Sequence, residues 1–127
     1  MRFAAVACAA AAAVVATIYL WPPSEASYAT AVGGLAKITL ADGSQVQLNT
    51  DTAITVAMDA RHRTVTLKKG EAFFTVRHDA VRPFSVLAAG HRIVDLGTQF
   101  SVRTNGKRLQ LTLVQGRARL ESDSDWV

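Results

Sequence analysis

Leu35-Ala-Lys-Ile-Thr-Leu-Ala-Asp-Gly-Ser-Gln-Val-Gln-Leu48 decides the fold class. Apolar and polar residues alternate on both sides of Asp42-Gly43, the pattern of two half-buried strands. Asp-Gly between such runs signals a hairpin, because glycine takes the positive φ that the reversal needs. The period of two continues in both directions from this stretch.

Downstream, Ile54 and Val56, then Val65 and Leu67, repeat the alternation across a polar connection at Asp59 and Arg61. Lys69-Gly70 reads as a turn into Glu71-Ala-Phe-Phe-Thr-Val76, and Arg82-Pro83 as the entry to Phe84-Ser-Val-Leu87. Ala89-Gly90, Leu96-Gly97, Asn105-Gly106 and Gln115-Gly116 read as further turns. About nine short strands with no helical period predict an all-β domain, an antiparallel sandwich or jelly-roll. A stacked-hairpin β-solenoid is the alternative. The expected division is an anchor or signal peptide at 1–23, a linker and first strand at 24–34, the β domain at 35–121 and a polar tail at 122–127.

Upstream, Phe3 to Trp21 is a run of 19 uncharged residues, nine of them alanine. As a helix it would rise about 28 Å, close to the hydrocarbon thickness of a bilayer. Tyr19 and Trp21 suit an interface, and Pro22-Pro23 would end the helix. Arg2 before the run predicts a cytoplasmic amino terminus and an exported domain. A cleaved signal peptide, cut near Ser24–Ala26 or Ser27–Ala29, is the competing reading. Both export the same domain.

The chain has 127 residues, of which 50% are hydrophobic and 19% charged, so one domain with a real core is expected. The net charge is +4, but the basic residues are scattered. The densest cluster, Arg61-His62-Arg63 with Lys68-Lys69, reads as a solvated strand face, and no nucleic-acid partner is expected. Cys8, inside the apolar run, is the one cysteine, so no internal disulfide can form. His62, His78 and His91 lack ligand spacing, and Asp42, Asp51 and Asp59 fit successive turns. Neither metal nor cofactor is expected. Thr50, Thr52, Thr55, Thr64 and Thr66 read as exposed hydroxyls of a sheet surface.

Five stretches in order carry a resemblance. They are Leu40-Ala-Asp-Gly-Ser-Gln-Val-Gln-Leu-Asn49, Arg63-Thr-Val-Thr-Leu67, Gly70-Glu-Ala-Phe-Phe-Thr-Val76 with Arg82-Pro-Phe-Ser-Val86, Leu96-Gly-Thr-Gln-Phe-Ser-Val102 and Val114-Gln-Gly-Arg117. They resemble the FecR family of membrane-anchored anti-sigma regulators over about residues 36 to 120. The family positions are Asp42, Gly43, Ser44, Asn49, Gly70, Glu71, Phe74, Arg82, Pro83, Phe84, Gly97, Thr98 and Phe100. Most of them also have a fold-making reading as turn donors or core residues.

The resemblance implies a single-pass protein of the bacterial inner membrane with a periplasmic β domain. Its implied partners are an extracytoplasmic-function sigma factor and the signalling domain of a TonB-dependent outer-membrane receptor, in iron-siderophore signalling. Only Met1-Arg2 precedes the apolar run and the chain ends at Val127, so the sigma-contacting and receptor-contacting ends typical of the family are expected to be missing. Some members resemble self-cleaving proteins that break at Gly-Thr through an N-to-O acyl shift. By that likeness Gly97-Thr98 is a candidate single-turnover site, with His91 or Asp95 assisting and His78 reachable only by folding. No enzyme with an external substrate is expected. An envelope domain binding glycan or peptidoglycan is the alternative function, disfavoured by the scarcity of exposed aromatic residues.

Overall fold

A computed structural model of the protein describes residues 24–122, apart from the side chains of residues 96–98. The expected membrane segment and the tail beyond Ser122 lie outside the described residues. Eight strands follow in order: β1 (Ser24–Ala29), β2 (Ala36–Thr39), β3 (Gln45–Leu48), β4 (Ala53–Met58), β5 (Arg63–Thr75), β6 (Phe84–Ala88), β7 (His91–Thr104) and β8 (Leu109–Ser122). The all-β class holds, and among the described residues no helix is long and apolar enough to cross a membrane.

The strands form one hydrogen-bonded sheet that closes on itself, in place of the two facing sheets of a sandwich. Closure follows from the length of β5. Its first half lies between β4 and β6, and its second half between β3 and β7. Because β6 also pairs β7, the three strands complete a ring, with β1, β2 and β8 as outer strands. The β5–β6 pairing is parallel, an exception to the antiparallel pattern expected.

Three of the expected turns are absent. β5, β7 and β8 continue through Gly70, Gly97 and Gly116, so there are eight strands, three of them 13 or 14 residues long. Geometry explains the change at Gly70. A straight β5 would separate its ends by about 40 Å at 3.3 Å per residue. The connection over residues 76–83 can return at most roughly 32 Å, yet it must bring β6 beside Arg63. The strand therefore has to bend, and Gly70 bends it with φ 90°. Its neighbours keep their pairing on both sides.

The hairpin between β6 and β7 is as expected. Ala88 faces His91 across the two-residue loop Ala89-Gly90, and φ is 48° and 74°, as a type I′ turn requires.

The alternating residues meet inside the ring. Phe74 stacks on Phe100 with centroids 5.0 Å apart and meets Phe84 edge-on at 6.0 Å. Val46, Leu48, Ile54, Val65, Leu67, Val86, Ile93 and Val102 surround them, all essentially inaccessible. Burying each such side chain stabilises by about 1.5–3 kcal/mol. Phe73, out of phase with Phe74, is only half-buried, as a strand dictates.

Candidate functional site

Apart from Gly97 and Thr98, the family-type positions gather at three places, each built from segments far apart in sequence. The first is a buried ion pair. Arg63 opens β5 in phase with Val65 and Leu67, so its side chain enters the core face rather than solvent. This corrects the reading of Arg61-His62-Arg63 as a wet face: Arg63 and Asp42 have side chains only 3% and 2% exposed. Arg63 Nη1 donates to Asp42 Oδ2 at 2.6 Å and to the Arg77 carbonyl at 2.8 Å, and Nε donates to the Arg82 carbonyl at 2.9 Å. Its amide donates to the carbonyl of Pro83, and its guanidinium lies 5.3 Å from the Phe84 ring centroid.

Asp42 is held from the other side. The Ser44 amide and hydroxyl donate to its two carboxylate oxygens at 3.0 and 2.7 Å, and the Arg77 amide donates to Ser44 Oγ at 2.9 Å. The β2–β3 turn at Asp42-Gly43-Ser44 and the β5–β6 connection are thus locked to one guanidinium. Arg82, half-buried, donates through Nε to Asp79 Oδ2 at 3.0 Å and so folds the same connection.

Burial pushes the Asp42 carboxyl up, but the Ser44 hydroxyl, the Arg63 guanidinium and the Ser44 amide outweigh it and hold the group below its ordinary value of 3.8. A carboxylate depressed on folding stabilises fully above its unfolded value, and that contribution is lost as pH falls through the folded value. Unfolding followed from pH 7 down to pH 2 should therefore show stability declining below about pH 4. The Asp42→Asn variant, less stable at pH 7, should lose less on acidification. Parallel curves for the two proteins would refute this assignment.

The second place is the bend. Thr52, expected on the surface, is fully buried against Gly70. Its hydroxyl donates to the carbonyls of Thr50 and Glu71 and accepts from the Glu71 amide at 3.0 Å. Asn49 also donates its amide to the Glu71 carbonyl at 2.9 Å. Glu71 and Asn49 thus act here through their backbones. The third place is the aromatic cluster of Phe74, Phe84 and Phe100 already described.

Gly97 and Thr98 lie within β7, where the pairing with β8 slips: Asp95 faces Ala118 but Thr98 faces Gly116. His91 is six residues from Gly97, about 20 Å along an extended strand, and its Nδ1 sits 2.9 Å from the Ala89 carbonyl. Asp95 is two residues away and borders, with His78 and Asp79, a cleft of about 190 Å³ over the ion pair. Along β7, Asp95 is thus nearer than His91 to the Gly97-Thr98 bond. Among the described residues no group of three His, Cys, Asp or Glu could hold a metal ion.

Arg63 and Thr52 are the residues that sequence reading missed. The signal for Arg63 was its phase: positions 63, 65 and 67 share one face of a strand, and two of them are core residues.

The comparisons agree with this geometry. The family model described as FecR protein matches residues 26–119. Two crystal structures of a candidate anti-sigma factor from Parabacteroides distasonis ATCC 8503 have the same fold, each at 25% identity. Their TM-scores are 0.71 and 0.67, over 78% and 76% of this chain. The chain spans about half the length of those proteins, 48% and 47%. No curated protein matches. With the family model covering nearly the whole described domain, the chain belongs to the FecR family.

Proposed function

We propose that the chain is a periplasmic regulator of an extracytoplasmic-function sigma factor, tethered to the inner membrane by residues 1–23 and acting in TonB-dependent iron-siderophore signalling. The observation that supports this is the family match over 26–119, joined to the likeness to candidate anti-sigma factors. Its mechanism is protein contact. The buried charges are paired within the fold and serve its architecture, which leaves the outer strands and loops for partners. Two measurements test this reading. A β-lactamase fusion after Val127 should protect cells from ampicillin, which requires export. Deleting the gene should shift transcription of sigma-dependent siderophore-uptake genes. An inactive fusion, or an unchanged transcript profile with and without the siderophore, would refute the proposal.

The slip between Asp95 and Thr98 supports a second event at this site, self-cleavage before Thr98. The Thr98 hydroxyl would add to the Gly97 carbonyl, the C–N bond would break to free the Thr98 amine, and water would split the resulting ester. The products are a Gly97 carboxylate and a chain beginning at Thr98 with its hydroxyl restored. Mass spectrometry of the purified protein should find the 1–97 and 98–127 fragments, and Thr98→Ala should remain whole. A wild-type chain as intact as the variant would exclude the reaction.

A further inference from the structure

We propose that two copies of this chain pair antiparallel along β8, extending the sheet across a two-fold axis at Gly116. β8 is a 14-residue outer strand hydrogen-bonded on one side to β7. Natural proteins commonly blunt such an edge with charge or proline; β8 has no proline, and its charges are confined to Arg117, Arg119 and Glu121, leaving Leu109-Gln-Leu-Thr-Leu-Val-Gln-Gly116 with none. Apolar side chains stand exposed along it: Leu113 is 46%, Val114 58% and Leu120 52% accessible.

The argument for a second copy is the phase of β8. Leu109, Leu111 and Leu113 face the core side, opposite Thr104, Val102 and Phe100 of β7. Val114 is then an extra residue, and beyond it the core side passes to even positions, with Ala118 and Leu120 opposite Asp95 and Ile93. With Val114 left out of the ladder in each copy, antiparallel pairing about an axis at Gly116 sets odd positions up to 113 of one copy against even positions from 118 of the other. Leu111 then meets Leu120, Leu113 meets Ala118 and Leu109 meets Ser122, all on the core side. In a strand without the extra residue, Leu111 and Leu120 would stand on opposite faces and could not meet.

The charges conform as well. Arg119 meets Thr112, Arg117 meets Gln115 and Glu121 meets Gln110, so no like charges are opposed. The self-complementary contact is what a two-fold dimer requires.

The test uses the full chain in detergent with Cys8→Ser as background. Sedimentation equilibrium should show a dimer whose dissociation constant rises at least tenfold in Leu113→Arg, with an unchanged circular-dichroism spectrum. A cysteine pair gives a readout independent of that variant. Thr112→Cys with Arg119→Cys should oxidise to a covalent dimer, because the two positions lie opposite one another across the axis. Thr112→Cys with Arg117→Cys, out of register, should not. A wild-type chain monomeric at every concentration would overturn the proposal, as would a folded Leu113→Arg protein that stays dimeric or equal cross-linking of both pairs.

Discussion

Arg63→Met should lower the unfolding free energy by about 3–5 kcal/mol, the range for removing one partner of a buried ion pair. For a domain of this size that is a drop in melting midpoint of roughly 12 °C or more. The loss is large because one guanidinium satisfies three acceptors, Asp42 and the carbonyls of Arg77 and Arg82. Its removal strands a carboxylate that is 2% exposed. Adding Asp42→Asn to the variant should recover part of the loss, since no uncompensated charge then remains, while Ser44 can still donate to the side-chain oxygen. Arg63→Lys should not rescue, because a single ammonium cannot reach acceptors spread around a planar fork. Denaturant titration of the four proteins provides the measurement. A loss below about 1 kcal/mol in Arg63→Met would place the pair among weak surface bridges and refute its structural role.

Gly70→Ala should also be damaging, by about 2–5 kcal/mol. Two terms add: a left-handed φ for a residue with a Cβ, roughly 1–2 kcal/mol, and forced repacking of a filled site, roughly 1–3 kcal/mol. The added Cβ would strike Thr52 Oγ1 and come within 2.6 Å of Thr52 Cα and 2.7 Å of the Asp51 carbonyl oxygen. Backbone surrounds the site, so no side-chain rotation relieves the clash. Gly106→Ala is the control. That glycine also has positive φ, 92°, but nothing lies within 4 Å of its Cβ position, so only the conformational term should appear. Equal destabilisation in the two variants would show that the bend has room and that the contact with Thr52 is unimportant.

These two positions also mark where reading the sequence stopped. Lys69-Gly70 reads in the sequence as a turn, and the glycine takes a positive φ. Whether the chain reverses there or bends and continues is not written in the dipeptide, because both use the same local conformation. The distance that residues 76–83 can span decides between them. Arg63 sits in a basic cluster that composition alone makes look wet. Its phase with Val65 and Leu67 pointed the other way. Thr52 was likewise misplaced, because a threonine in a polar run gives no sign that a bent strand will cover it. Asp42 and Ser44 were rightly seen as turn formers, but Asp42's ion-pair partner is 21 residues away in sequence.

The sequence by itself determined the all-β class, the family, the two-residue hairpin at Ala89-Gly90 and the aromatic core. Each follows from side chains repeating at a period of two or from conformations available to one or two residues, which are local properties. Tertiary structure alone decided that β5 serves two parts of a closed sheet, that Arg63 pairs with Asp42 inside it, and that Thr52 fills the bend. Those outcomes depend on which distant segments the chain can bring together, and no local pattern encodes that distance.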